Sequence, residues 1–312
     1  MRAATVPLGI LAAGSGALAY AAAEAQAYTL RRFTLPVLPP RHRPLRVLHV
    51  SDLHLLPRQR RKQRWLASLA GLEPDLVVST GDNLAAVGAV PAVLAAYGRL
   101  LQRPGVFVLG SNDYWGPRPK NPARYLLPDG GRRRFTGVRL PTEELVAGFS
   151  SAGWLDLTNR RGTLTLGDTT LEFAGVDDPH LRLDRYEQVA GPPSPSADLL
   201  VGVTHAPYRR VLDAVVDDGA ALVLAGHTHG GQLCVPGLGA LVTNCDLPRR
   251  QARGVSQWPP DGTPRRALGS VVLQPPAALH VCAGLGTSPY TPVRLACRPE
   301  AALLTLTPRA GT

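Results

Sequence analysis

Lysine is nearly missing: Lys62 and Lys120 are the only two, so the formal net charge of +11 rests on arginine. Aromatic residues make up 5% of the 312 residues and methionine occurs once. So sparse a set of rings offers no platform for stacking successive bases, which argues against a single-strand nucleic-acid binder. The four cysteines, Cys234, Cys245, Cys282 and Cys297, contain no CxxC pair. That excludes a zinc-finger pattern and gives no disulfide framework. Acidic residues number 23 against 34 lysines and arginines, a surplus that favours anionic partners such as phosphates or anionic lipid surfaces.

Charge is also missing from Ala3 to Ala23, an Ala- and Gly-rich run. Its length is about that needed to cross a bilayer as a helix. Residues 1–30 are therefore expected to form a single N-terminal membrane anchor, with an export signal that is cleaved and a helix buried on the domain as alternatives. Residues 31–45, which include LPVLPPRHRPL, read as a Pro- and Arg-rich linker. Residues 46–312 read as the folded domain, without internal repeats.

In that domain apolar runs end in polar residues and alternate with helix-like segments. The runs are LRVLHVSD (45–52), DLVVSTGD (75–82), GVFVLGSND (105–113), ADLLVGVTHAP (197–207) and ALVLAGHTHGG (221–231). Helical patterns fall at 62–72, 90–101, 141–153 and 209–219, and TLTLGDTTLEFAGVDD (163–178) reads as a hairpin. Such alternation predicts a layered α/β domain, in which ligands bind beyond the carboxyl ends of the strands.

Those ends carry a recurring chemistry: Asp52 and His54, Asp82 and Asn83, Ser111, Asn112 and Asp113, then His205, His227 and His229. Side chains at i and i+2 of an extended segment point to one side, so His227 and His229 can face one point. The glycines around them allow a sharp turn. Carboxylates and imidazoles gathered in a buried place are costly without a shared cation. Nitrogen and oxygen donors suit Mn, Fe, Zn or Ni. The set suffices for two divalent metal ions, with Asp82 as the natural bridge. Two ions about 3.5–4 Å apart would clamp a phosphoryl group and generate hydroxide at neutral pH.

The ordered series DxH (Asp52, His54), GDN (81–83), GSND (110–113), THAP (204–207) and GHTHGG (226–231) resembles the calcineurin-like metallophosphoesterases. SDLH, THAP and GHTHGGQ are similar to the membrane-associated bacterial branch that includes YkuE. The resemblance implies a four-layer α/β/β/α metallophosphoesterase sandwich with a dinuclear centre. It places Asp52, His54 and His229 on one ion and Asn112, His205 and His227 on the other, with Asp82 bridging. It implies a phosphohydrolase that cleaves a phosphodiester or pyrophosphate bond by metal-activated hydroxide. A lipid-linked or UDP-diacylglucosamine-like substrate would fit the anchor and the charge.

One departure bears on mechanism. Relatives read GNH[DE] where this chain reads GSND. Without a gap, Ser111 falls on the family's asparagine ligand and Asn112 on its histidine. With a shift of one residue Asn112 keeps the metal contact, and an amide oxygen is the better neutral ligand. Either way the usual proton donor is gone, and general acid catalysis is worth about 10²–10⁴-fold. Substrates with good leaving groups would suffer least. Asp82, Asn112 and Asp113 are the candidate catalytic residues, Asp113 or His180 in GVDDPH standing in as acid. In the basic run RQRRKQR (58–64), Arg60 and Arg61 are candidates for a substrate phosphate, and GGRRRF (130–135) would extend the positive rim. The alternatives are a nucleotide phosphodiesterase, which would need a base-recognising pocket, and a non-catalytic scaffold of phosphoesterase fold.

Overall fold

The computed structural model describes residues 5–119, 137–266 and 273–310. The chain opens with α1 (Thr5–Glu24) and β1 (Thr29–Leu38), followed by β2 (Leu45–Val50), α2 (Arg60–Ser68), β3 (Leu76–Ser79), α3 (Val90–Tyr97) and β4 (Gly105–Phe107). A single helical turn, α4 (Ser111–Tyr114), precedes α5 (Thr142–Ser151) and β5 (Leu155–Asp156). The second half runs β6 (Arg160–Leu166), β7 (Thr169–Gly175), β8 (Leu199–Thr204), α6 (Arg209–Asp217) and β9 (Leu222–Ala225). A small hairpin, β10 (Cys234–Val235) with β11 (Gly239–Ala240), leads to β12 (Gly254–Trp258). After a second hairpin of β13 (Arg265–Arg266) and β14 (Leu273–Gln274) come β15 (Ala277–Val281) and β16 (Glu300–Pro308).

The strands form two mixed six-stranded sheets, ordered β1-β16-β2-β3-β4-β5 and β12-β15-β9-β8-β7-β6. β2 to β5 run parallel in the first, and β15, β9, β8 and β7 run parallel in the second. Parallel strands are buried on both faces, and alternation sorts their side chains between two cores. Along β2, Leu45 and Val47 face the second sheet, where they join Phe173, Val201 and Leu224. Leu48 and Val50 face the other way, onto Leu66 of α2, Val93 of α3 and Phe149 of α5. On the far side, Leu200 and Val223 pack against Val211, Leu212 and Val215 of α6. The result is the expected four layers: helices, sheet, sheet, helix.

The reading of residues 31–45 as a linker needs correction. Thr29–Leu38 is an edge strand paired in parallel with β16 from Thr29↔Glu300 onward. Leu35, Val37 and Leu38 bury their side chains between the sheets, and an edge strand tolerates the missing N–H of Pro36. At the amino end, no helix among the described residues is long and apolar enough to cross a membrane. The carboxyl end of α1 is packed on the domain, with Ala21, Glu24 and Ala25 buried.

Candidate metal centre

Loops leaving the carboxyl ends of β2, β3, β4, β8 and β9 meet at one rim, drawing on both sheets. Backbone bonds lock the first two together: Asp52 N donates to Gly81 O and His54 N to Asp82 O, each at 2.9 Å. Gly226 opens the GHTHGG turn because a Cβ there would overlap Ser51 Oγ. Five candidate ligands sit in left-handed backbone, Asp52 (φ 50°), His54 (39°), Asp82 (56°), His227 (70°) and His229 (51°). Each such non-glycine residue costs about 1–3 kcal/mol, and this cost collects at functional sites.

Asp52, His54, Asp82 and His229 are all buried, and one ligand atom from each lies within 4.8 Å of the others. His54 Nε2 stands 3.1 Å from His229 Nε2 and 3.4 Å from Asp82 Oδ2. His229 Nε2 is 3.5 Å from Asp52 Oδ1. Ion–ligand distances of about 2.0–2.2 Å would set neighbouring donors roughly 3–3.6 Å apart, so this spacing fits a single first-row cation. The other oxygen of Asp52 accepts from Ser51 Oγ at 2.6 Å and from His227 N at 3.0 Å. Asp52 Oδ1 is left buried and without a hydrogen-bond partner among the described residues, the mark of an atom reserved for a cation.

Asp82 links this cluster to its neighbour. Its Oδ2 faces His54, while its Oδ1 lies 3.5 Å from His205 Nε2. His205 Nδ1 bonds to Thr80 O at 2.6 Å, and Nε2 is buried without a hydrogen-bond partner. His227 Nε2 meets Asn244 O at 3.2 Å, which leaves Nδ1 for a ligand, and its ring lies 5.2 Å from that of His205. Asn112, rather than Ser111, touches Asp82: its backbone N–H donates to Oδ1 at 2.7 Å and its Nδ2 to Oδ2 at 2.9 Å.

Burial dominates the electrostatics. It pushes the Asp52 carboxyl up to about 6 and His54 down to about 4. His227 and His229 are likewise driven well below the usual imidazole range by burial. Burial opposes charge on His205 too, but the Asp82 carboxylate beside it outweighs that and raises it well above the ordinary value. Neutral His54, His227 and His229 are in the form that offers a lone pair to a metal.

Several residues take other places than the sequence led us to expect. Asp113 is fully buried, and its carboxylate accepts from the backbone N–H groups of Asp82 (2.8 Å), Asn83 (2.7 Å), Gly110 (3.0 Å) and Leu84 (3.3 Å). It clasps two ligand loops, so both oxygens are engaged, and burial pushes its carboxyl up to about 7. His180 lies at the cluster's edge, its ring 4.6 Å from that of His227 and its Nδ1 3.1 Å from Tyr208 Oη. Arg60 and Arg61 are exposed on the first turn of α2, and Arg60 bonds to Gln63. GGRRRF (130–135) lies outside the described residues.

The member of the basic run that turns inward is Lys62, whose ammonium donates to Leu53 O at 2.7 Å inside the SDLH turn. Burial pushes its pKa from 10.5 down to about 7. Between those values the unfolded chain binds more protons than the folded one. The group's contribution to stability is thus lowest below about pH 7 and rises with pH through that window. Lys62→Met is expected to flatten that rise, gaining on the wild type at about pH 6.5 and losing ground by about pH 9.5. Urea unfolding in chelator at the two pH values checks this, and an equal loss at both would contradict it.

Residues 45–231 match the family model for calcineurin-like phosphoesterases. The chain is 26% identical over 306 residues to the uncharacterized protein YpbG of Bacillus subtilis (strain 168), covering 96% of this chain and 95% of that one. Similar solved structures include TT1561 of Thermus thermophilus, at 11% identity and a TM-score of 0.38, with 78% of this chain and 91% of that chain covered. Another is the phosphopantetheinyl hydrolase PptH from Mycobacterium tuberculosis, at 14% identity and a TM-score of 0.33, with 62% and 84% covered.

Proposed function

The chain belongs to the calcineurin-like phosphoesterase family, and from that premise we propose that it hydrolyses a phosphodiester or pyrophosphate at a dinuclear centre. The observation that carries this reading is Asp82, whose two oxygens face His54 at 3.4 Å and His205 at 3.5 Å. Asp52, His54 and His229 would hold one ion, and His205, His227 and Asn112 the other. Two divalent ions there would lower the pKa of a water and draw charge from the phosphoryl oxygens. The chain's own contribution is positional. Thr80 O and Asn244 O fix the tautomers of His205 and His227; such outer partners orient ligands. With Asp113 committed to backbone amides, His180, at the cluster's edge, would be placed to hold a proton for the leaving group.

For the substrate we favour an amphiphilic phosphate ester or anhydride, as the resemblance of SDLH, THAP and GHTHGGQ to membrane-associated relatives suggests. Support comes from the net charge of +11 and from Leu18 and Tyr20, which are exposed on α1 just before its docked end. The test is hydrolysis by the full chain with Mn²⁺ of an activated water-soluble diester and of a pyrophosphate-linked lipid in mixed micelles. Turnover of both, with the larger kcat/KM on the lipid, is expected. Turnover of the soluble ester alone would remove the lipid from this reading, and no turnover of either by protein carrying two ions would overturn it.

A further inference from the structure

Behind His229 lies a fully buried arginine that has no carboxylate partner among the described residues. Arg294 instead points its guanidinium into backbone carbonyls. Nη2 donates to Ala283 O (2.7 Å), Gly284 O (3.0 Å) and Gly286 O (2.7 Å), and Nη1 to His229 O (3.3 Å) and Cys297 O (3.4 Å). A guanidinium buried this way is tolerated only because nearly all of its donors are met. All but that of Cys297 belong to segments that shape the metal cluster. Gly286 O also receives His229 Nδ1 at 3.2 Å, so the arginine fixes the carbonyl that orients the imidazole and leaves Nε2 facing His54. Leu285 N and Gly286 N reach back to Ser51 O and Asp52 O, and Gly284 lies so close to Asp52 that a Cβ would collide with its side chain.

The loop bearing Arg294 is itself held from outside the sandwich. Glu24, the last residue of α1, is buried and accepts from Ala296 N at 3.1 Å and Cys297 N at 2.8 Å. Ala296 has a φ of 51°, so the two successive N–H groups converge on one carboxylate as an anion-binding nest. Arg294 N donates to Ala21 O at 2.9 Å. A carboxylate in the last turn of a helix opposes the helix dipole. Glu24 therefore does nothing for α1, and its role lies in the contact it makes.

We propose that Arg294 is a positioning residue for the cluster of Asp52, His54, Asp82 and His229, and that the end of α1, through Glu24, holds it in register. The inference rests on the reading of that cluster as a metal site. It joins the end of α1 to the metal affinity of a centre whose ligands come from the loops after β2, β3 and β9.

The experiment measures Mn²⁺ affinity by calorimetry, melting temperature, and kcat and KM on the activated diester for full-length wild type, Arg294→Met, Arg294→Lys and Glu24→Gln. Removing an outer partner of a ligand typically weakens binding about 10–100-fold, and that is the loss expected for Arg294→Met. Arg294→Lys should stay near the methionine variant, because one ammonium cannot serve the carbonyls that the planar fork reaches. Glu24→Gln turns an amide NH₂ toward one of the two N–H groups, and a loss of roughly threefold or more is expected, with a fall in melting temperature smaller than that of Arg294→Met. Wild-type affinity in Glu24→Gln and in a folded Arg294→Met would make Arg294 a packing residue only and overturn the proposal. If Arg294→Met does not fold, Glu24→Gln decides alone, in the same sense. A wild type that binds no Mn²⁺ defeats the metal reading and this inference with it, whereas unaffected variants of a metal-binding wild type defeat this inference only.

Discussion

Asp82→Ala is expected to lower kcat/KM by about 10³-fold or more and to reduce bound metal from two ions to at most one. The magnitude follows from the several kcal/mol by which two ions stabilise developing charge, each 1.4 kcal/mol being about tenfold in rate. Neither Asp52 nor Asp113 is free to take over. Asp52 has one oxygen bound by Ser51 and His227, and its other faces His229. Asp113 is occupied by backbone amides. Asp82→Asn keeps the shape while removing the charge, which separates loss of the bridge from loss of packing around Asn112. Metal content by elemental analysis and steady-state kinetics at saturating Mn²⁺ give the answer. Asp82→Ala protein with two ions and ordinary turnover would sink the bridge.

The second large effect is on stability. Asp113→Ala leaves the N–H groups of Gly110, Asp82 and Asn83 without their acceptor in a fully buried place. Unpaired buried groups cost about 1–3 kcal/mol each before relaxation, and we expect a net loss of about 3–5 kcal/mol, as for breaking a buried charged contact. For a domain of this size each kcal/mol lowers the melting temperature by about 2–4 °C, so a fall on the order of 10 °C should appear in a thermal scan. Asp113→Asn should recover only part, because its NH₂ would face a backbone donor. A proton donor behaves differently: Asp113→Asn would then keep its melting temperature and lose one limb of the pH–rate profile. That outcome would reinstate Asp113 as an acid.

What the sequence made legible is what periodicity and strand ends encode. Apolar runs with two-sided burial gave the parallel strands, and their polar ends gave the residues that the fold gathers: Asp52, His54, Asp82 and His229 within one cluster, His205 and His227 adjoining. The rest depended on commitments that residue type does not reveal. Asp113 stands beside Asn112 in the sequence, yet three amides from the GDN loop and one from its own turn use up its carboxylate. Lys62 sits in a run of arginines and differs from them only in the face of α2 it occupies. The prolines and arginines of LPVLPPRHRPL made residues 31–45 look like a linker, because nothing local announces that β16, some 270 residues later, will pair with Thr29–Leu38. Arg294 lies in SPYTPVRLACRPE, where no periodicity marks an inward position; only the carbonyls that surround it do.

The left-handed backbone of five candidate ligands has an evolutionary consequence. At such φ values glycine is unstrained, whereas histidine and aspartate, better tolerated there than most residues, still keep part of the penalty. A descendant relieved of catalysis would therefore relieve backbone strain by drifting to glycine at 52, 54, 82, 227 and 229, and would lose its donors while keeping its fold. The centre is thus the first part of this molecule that selection for stability alone would erode. Its persistence in a lineage is a sign that the chemistry is still in use.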